Sequence, residues 1–426
     1  MNNNYDINQI LYECFETLGL VIEYDLADHP THQHAIRVGE GCVIIGDKLG
    51  LSPRKIQQLY FAGLLHDIGK ISLDINLLKK KEKLTDSEFQ LIRYHSVMGC
   101  KIAAMLPELS DIAFWIRWHH EKWDGTGYPD KLYKDQIPVE VQILSTMDCF
   151  DSMQTPRFDR DKLSMEESYN IIKSERDTSF NPVIVDLICD MIEKKEITPG
   201  KSSDKFIELK QKYLKTPIIV NNDNSWSVIG MTGIYPILRL FARVIDAKHS
   251  YTHGHSTRVS ILSKYLAGIA GFSQRDLLKV EVAGLLHDAG KISIPLEILN
   301  KNNLPDNNEW EIIKNHPVYS SNLLKSISLI KDIADITQQH HERLDGSGYP
   351  CGSRESEIDI LAQIIAISDT FDAMTSERTY RGKVTAEAAY KEIKKGFGYL
   401  YNKELGEILI KTPPVYIKAL FDMHLL

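Results

Sequence analysis

The sequence predicts an all-α protein of two tandem helical-bundle domains related by internal duplication. Three observations predict it. Motifs recur in a single register: Leu64–Ser72 reads Leu-Leu-His-Asp-Ile-Gly-Lys-Ile-Ser, and Leu285–Ser293 repeats it with one change. His119–Pro129 reads His-His-Glu-Lys-Trp-Asp-Gly-Thr-Gly-Tyr-Pro, and His340–Pro350 reads His-His-Glu-Arg-Leu-Asp-Gly-Ser-Gly-Tyr-Pro. His66 and His287 stand 221 residues apart, as do His34 and His255, His95 and His316, His119 and His340, and Asp148 and Asp369. Landmarks that keep one offset across more than a hundred residues, without net insertion, mark a duplicated domain rather than chance short motifs. The second observation is helical spacing between the motifs, and the third is the rarity of alternating runs long enough for a sheet.

Taken in order, the N-terminal copy places Phe89, Ile92, Val97, Ile102 and Met105 on one stripe of a helix over Asp86–Leu106. Asp86, Ser87 and Glu88 supply helix-start chemistry, with carboxylates near the positive end of the dipole. Asp306–Ile327 repeats that layout in the C-terminal copy. The stretch Ile197–Asn224, with Pro199, Gly200, Ser202, Ser203 and the polar run Asn221–Ser225, reads as the junction. The expected organisation is therefore a domain over 1–200, a linker over 201–226 and a domain over 227–426, the two packing on each other within the chain. Trp226–Ile245 is the most hydrophobic window, but Arg239 and Arg243 interrupt it, so a buried amphipathic helix is expected there.

At 426 residues the chain is long for a single core. Its net charge of −8 argues against a binder of duplex nucleic acid, which needs a basic field to neutralise phosphates. A small anionic ligand is still compatible if cations concentrate positive charge in one cleft. The cysteines Cys14, Cys42, Cys100, Cys149, Cys189 and Cys351 form no CxxC pair, and the polar start Met1–Asp6 shows no signal-like segment. Reduced thiols and a cytoplasmic location are expected. No run of about 18 uncharged apolar residues occurs, so no membrane association is expected.

Each copy offers seven ligating side chains: His34, His66, Asp67, His95, His119, His120 and Asp148 in the first, and His255, His287, Asp288, His316, His340, His341 and Asp369 in the second. Ten of the fifteen histidines fall in these sets. Imidazole and carboxylate together suit first-row divalent metals such as iron, manganese or zinc. Seven ligands exceed the need of one ion and suit two sharing a bridging carboxylate, for which Asp67 and Asp288 are the natural choices. A lone His-Asp pair beside a glycine is more often a cap, and a lone His-His pair more often half core and half surface. The matched sets outweigh those readings. Adjacent helical positions point about 100° apart, so His119 and His120 reach one centre only in a crevice between helices. His29, His32, His249, His253 and His424 are assigned to structure or surface.

With these motifs in view the chain resembles the HD-GYP family, a branch of the HD-domain metal phosphohydrolases, in two copies over roughly Asp25–Pro182 and Asp246–Tyr399. The resemblance implies a bacterial phosphodiesterase that hydrolyses cyclic di-GMP or 3′,3′-cyclic GMP-AMP at a di- or trinuclear iron or manganese centre. It implies metal ligation by the seven residues of each copy. It implies a place for Lys70 and Lys291 near the scissile phosphate, beside the catalytic Asp67 and Asp288. The family's Thr-x-x-Arg-x-Tyr-Lys/Arg segment looks like Thr375–Arg381, where Arg378 and Arg381 would hold phosphate oxygens. The first copy keeps Arg157 and Arg160 but loses the threonine and tyrosine.

Three departures are visible. Pro30 and Tyr251 stand where trinuclear members carry a glutamate, which favours two metal ions per competent domain. Gln142 and Gln363 replace a common arginine. The family's Phe-Asp-Pro segment becomes Tyr399-Leu400-Tyr401-Asn402, while the first copy keeps Phe180-Asn181-Pro182. Catalysis is expected chiefly in the C-terminal domain, with the N-terminal domain catalytic or regulatory. Rival readings are an HD phosphohydrolase acting on mononucleotides or nucleoside triphosphates and a non-catalytic signalling scaffold.

Overall fold

The computed structural model describes residues 12–19, 33–197, 204–214, 234–247 and 254–425, apart from 74, 79, 81, 107–108, 156–160, 300, 302 and 377–382. Among the described residues the backbone forms helices, turns and isolated bridges, with no strand. It divides into two units, Cys14–Val220 and Asn221–Leu426, with Tyr12 and Glu13 grouping with the second.

The first unit is built from α1 (His34–Lys48), α2 (Pro53–Leu65), α3 (Asp86–Ala103), α4 (Ser110–Trp118), α5 (Val139–Gln154), α6 (Met165–Ser174), α7 (Pro182–Glu193) and α8 (Asp204–Tyr213). Ser52 caps α2 by accepting from the Lys55 N–H, and Pro53 fits its first turn because no backbone N–H is needed there. The start of α3 is a capping box of Thr85 and Glu88, one residue ahead of the Asp86 start read from the sequence. Helices α1 and α2 pack together, and α5 lies against both. Ile45, Ile56, Leu59, Tyr60, Leu64 and Leu65 are fully buried there, each worth about 1.5–3 kcal/mol of apolar transfer.

The segment expected as linker, 201–226, is partly helical. Phe206, Leu209 and Tyr213 recur at helical spacing and bury themselves on the first unit. Phe206 stacks on Tyr60 at 5.7 Å, and the Tyr213 hydroxyl donates to Asp47 at 2.5 Å. The division between the two units falls after Val220, within the segment expected as linker.

The second unit contains α9 (Tyr235–Ala247), α10 (His255–Ile269), α11 (Gln274–Leu286), α12 (Asn307–Ile313), α13 (His316–Lys325), α14 (Ala334–Gln338), α15 (Ile360–Thr375), α16 (Ala386–Lys395), α17 (Lys403–Lys411) and α18 (Pro414–Leu425). As expected, α9 is a buried amphipathic helix: Ile237, Leu238, Phe241, Val244 and Ile245 face the core and Arg243 faces solvent. The single helix expected over Asp306–Ile327 is two, broken at Lys314–Asn315. Pro317, where the first copy has Ser96, lacks the N–H that would continue the ladder, and its ring crowds the Ile313 carbonyl. The His316 imidazole takes that carbonyl instead, at 2.7 Å.

Among the described residues no helix is long and apolar enough to cross a membrane. None of the six cysteines forms a disulfide among the described residues.

Candidate metal centre

In each unit the seven side chains expected as ligands converge from five places on the fold. His34 opens α1, His66 and Asp67 follow the end of α2, His95 lies within α3, His119 and His120 follow α4, and Asp148 lies within α5. His255, His287, Asp288, His316, His340, His341 and Asp369 take the matching places in the second unit. Four groups of three donors arise, with all atoms of a group within 4.8 Å of one another: His34, His66 and Asp148; His95, His119 and His120; His255, His287 and Asp288; His316, His340 and His341. The crevice that the adjacent histidines require is present because α4 ends at Trp118, leaving His119 as its cap and His120 in the following turn.

One carboxylate joins the two groups of each unit. Asp288 Oδ2 lies 3.4 Å from His287 Nε2 and 3.6 Å from His255 Nε2, while its Oδ1 lies 3.2 Å from His316 Nε2. Asp67 repeats this, 3.4 Å from Nε2 of His66 by one oxygen and 3.4 Å from Nε2 of His95 by the other. Asp369 spans the second unit in the same way, 3.4 Å from His255 and 3.9 Å from His341. Each unit thus offers two groups of donors that could hold metal, linked through carboxylates.

The imidazoles are oriented by the backbone. The Nδ1 atoms of His66, His95 and His119 sit 2.6–2.7 Å from the carbonyls of Gly63, Ile92 and Ile116, each three residues earlier. Those of His287, His316 and His340 do likewise with Gly284, Ile313 and Thr337. A carbonyl only accepts, so Nδ1 carries the proton and Nε2 offers its lone pair to the centre. The Nε2 atoms of His34, His66 and His287 and Oδ1 of Asp288 are buried without a hydrogen bond among the described residues. Buried polar atoms are ordinarily paired; a divalent cation is the partner this donor set fits.

The electrostatics prepare the donors. Burial opposes ionisation of Asp67 and Asp288, but Lys70 and His66, and Lys291 and His287, outweigh it and hold both carboxyls well below their usual range. Burial and the neighbouring imidazoles push His119 down to about 3, and His120, His340 and His341 well down too, so these rings are neutral donors. His34 and His255 go the other way. Burial penalises their charged forms, yet contacts with Asp148 and Asp151, and with Asp288 and Asp372, raise both to about 10.

Several supporting residues were not singled out from the sequence, although each pair keeps the 221-residue offset. Asp151 accepts from His34 Nδ1 at 2.7 Å and from Arg37 at 2.7 and 2.9 Å. Asp372 does the same for His255 at 2.7 Å and Arg258 at 2.6 and 3.0 Å. Glu342 organises the loop after the histidine pair, accepting from the N–H groups of Cys351 at 2.7 Å and Ser353 at 2.9 Å, as Glu121 does from Asp130, Lys131 and Leu132. That loop lays Tyr128 and Tyr349 on His120 and His341 at ring distances of 4.8 and 4.7 Å. The glycine of His-Asp-x-Gly-Lys is required by packing: a Cβ on Gly69 would meet the His95 carbonyl at 1.8 Å, and one on Gly290 would meet the His316 carbonyl at 2.1 Å.

Lys70 and Lys291 pair with Asp67 and Asp288. Gln142 and Gln363 are tethers, each donating to a carbonyl five residues earlier and accepting from Asn181 or Asn402. Asn181 and Asn402 in turn cap α7 and α17, so the altered segment of the second copy keeps the asparagine that matters. Arg157, Arg160, Arg378 and Arg381 lie outside the described residues, as do Pro30 and Tyr251.

Comparison with known proteins agrees with this geometry. A family model described as HD domain matches residues 22–184 and again 239–405. The 3′3′-cGAMP-specific phosphodiesterase 3 of Vibrio cholerae is 29% identical over 322 residues, covering 75% of this chain and 66% of that protein. The 3′3′-cGAMP-specific phosphodiesterase 1 of the same organism is 26% identical over 387 residues, covering 90% and 86%. A cyclic di-GMP phosphodiesterase of Thermotoga maritima is 38% identical over 180 residues, covering 42% and 49%. The crystal structure of a cyclic GMP-AMP specific phosphodiesterase of V. cholerae shares the fold at a TM-score of 0.61 and 22% identity, covering 94% of this chain and 98% of that one. The chain belongs to the HD-domain family and carries that domain twice in tandem, in the HD-GYP form.

Proposed function

We propose that the chain is a metal-dependent phosphodiesterase that opens a 3′,5′-cyclic dinucleotide to its linear form, with the C-terminal centre chiefly catalytic. The observation that carries this reading is the carboxylate of Asp288 between two groups of inward-facing Nε2 atoms, a holder for two divalent cations, with iron and manganese the best fits. When bound, such cations supply Lewis-acid polarisation of the phosphodiester and acidify the attacking water.

The chain's own residues do the rest. His255, His287, His316, His340, His341 and Asp369 fix the donor geometry, and the carbonyls and Asp372 behind them keep the rings of His255, His287, His316 and His340 from turning. Lys291, about one-fifth exposed beside Asp288, brings its ammonium to the face where the diester's oxygens gain charge. Arg378 and Arg381 hold non-bridging phosphate oxygens through paired donors. In the N-terminal centre Asp67, Lys70, Arg157 and Arg160 have the corresponding roles, either in a second active site or in one that regulates the first.

Cyclic di-GMP is the substrate first expected from the motifs. A second reading, 3′,3′-cyclic GMP-AMP, is favoured by the two relatives aligned over 75% and 90% of the chain, both named for that substrate. Hydrolysis of each dinucleotide by wild-type protein and by His287→Ala/Asp288→Ala and His66→Ala/Asp67→Ala variants tests the assignment. Turnover should vanish in the first double variant; turnover unchanged there overturns the placement.

A further inference from the structure

We propose that Arg93 is a phosphate-holding residue at the mouth of the N-terminal centre, an inference that rests on the cyclic-dinucleotide reading above. Phe89 and Arg93 are four residues apart on α3, so they share a face. The Arg93 guanidinium carbon lies 4.5 Å from the Phe89 ring centre and 4.9 Å from that of Tyr128. Tyr128 in turn packs on the ligand-set residue His120. The clamp therefore fixes a cation one ring away from the donor cluster.

Arg93 makes no ion pair among the described residues, and its Nε is buried without a hydrogen bond. The nearby acid on the same helix, Glu88, is taken by Lys80 at 2.6 and 2.8 Å and by the capping box. Aromatic rings against a guanidinium leave its donors directed in the plane, the geometry that meets two oxygens of one phosphate. An arginine held this way is oriented for an anion that the protein itself does not supply.

The second unit is built differently at the same place. Lys314 occupies the matching position but pairs with Glu311 at 2.7 Å, beside the break before Pro317. Trp310 replaces Phe89 and meets Tyr349 edge-on at 6.3 Å with no cation between them. That copy retains the full Thr375–Arg381 segment, whereas the first has lost its threonine and tyrosine. Arg93 adds a phosphate-holding cation to a first centre whose altered segment keeps its two arginines but not its threonine and tyrosine.

The test uses the full chain carrying Asp288→Ala, so that the N-terminal centre is read alone, loaded with manganese. Equilibrium binding of cyclic di-GMP and of 3′,3′-cyclic GMP-AMP is compared with and without Arg93→Met, which keeps bulk between the rings, and Arg93→Lys, which keeps charge but not paired donors. The expected result is a Kd at least tenfold weaker for Arg93→Met and an intermediate Kd for Arg93→Lys, with manganese content and Tm unchanged. In the reciprocal Asp67→Ala background, Lys314→Met should leave the Kd of the C-terminal centre as it was. An unchanged Kd for Arg93→Met, or a loss of binding that tracks loss of manganese or of folding in both variants, overturns the proposal. So does a parent protein that binds neither dinucleotide. Failure of the phosphodiesterase reading itself is seen separately, as absent hydrolysis by the wild type.

Discussion

Replacing Asp372 by asparagine removes the carboxylate that ties His255 to Arg258 behind it. The carboxylate is buried and accepts from His255 Nδ1 at 2.7 Å, from Arg258 Nε at 2.6 Å and from Arg258 Nη2 at 3.0 Å. Burial disfavours its ionisation, but the His255 bond and Arg258 outweigh that and hold it well below the usual carboxylate range. An amide of the same shape keeps one acceptor oxygen, loses the charge and turns an NH2 toward donors that need acceptors. His255 is then free to change tautomer or turn, and its Nε2 no longer faces the centre reliably. Loss of a partner of this kind typically costs 10–100-fold in metal affinity, or about 1.4–2.8 kcal/mol. Breaking a buried charge pair by removing one side costs about 3–5 kcal/mol of stability, and partial solvent access to Arg258 places the expected loss near the lower end. Chelator competition on the Asp372→Asn protein measures the first quantity and denaturant unfolding the second. Wild-type metal affinity in that variant would refute the claim that Asp372 fixes His255.

Three further outcomes are expected. At about pKa 10, His34 and His255 carry a proton at neutral pH, so a cation binding their Nε2 atoms must expel it. Raised pKa values mean that apparent metal affinity climbs as pH rises toward about 10; calorimetry at pH 7 in buffers of different ionisation enthalpy should show about one proton released per centre, and no buffer dependence contradicts the assignment. Gly290→Ala forces a Cβ to within 2.3 Å of the Ser320 nitrogen and 2.1 Å of the His316 carbonyl. Backbone cannot yield as a side chain does, so a lower Tm, by about 1–3 kcal/mol of stability or more, with weaker metal retention is expected, and an unchanged Tm counts against the packing argument. Glu342→Gln puts an amide against N–H groups that lost their acceptor, at about 1–3 kcal/mol; kcat/KM should fall while metal content holds, because the loop bearing Tyr349 shifts and the ligands do not. Equal loss of both would show that Glu342 supports the ligands instead.

The convergence of these side chains was legible because imidazoles and acids repeated at one offset stand out against an otherwise ordinary composition. Asp151, Asp372, Glu121 and Glu342 keep the same offset, yet a carboxylate in a helix or beside a loop also fits a solvated face. Nothing in their local sequence separates a buried acceptor from a surface charge. The break in the helix over Asp306–Ile327 was signalled by Pro317, but the matching residue Ser96 sits in an unbroken helix, and the copies were read alike. The helix Asp204–Tyr213 was obscured by the neighbouring Pro199, Gly200, Ser202 and Ser203, although Phe206, Leu209 and Tyr213 carry its spacing. Gln142 and Gln363 looked like lost cations; their role as tethers for Asn181 and Asn402 depends on partners 39 residues away.

The central claim is that paired cations held across Asp288 drive phosphodiester cleavage. It is tested most directly by loading the full chain anaerobically with iron or manganese, counting bound ions, and following linear dinucleotide release with wild type and Asp288→Ala in parallel. About two ions per competent domain, and product from the wild type alone, is the predicted result. A wild type that binds no cation, or an Asp288→Ala protein that turns over at the same rate, contradicts it.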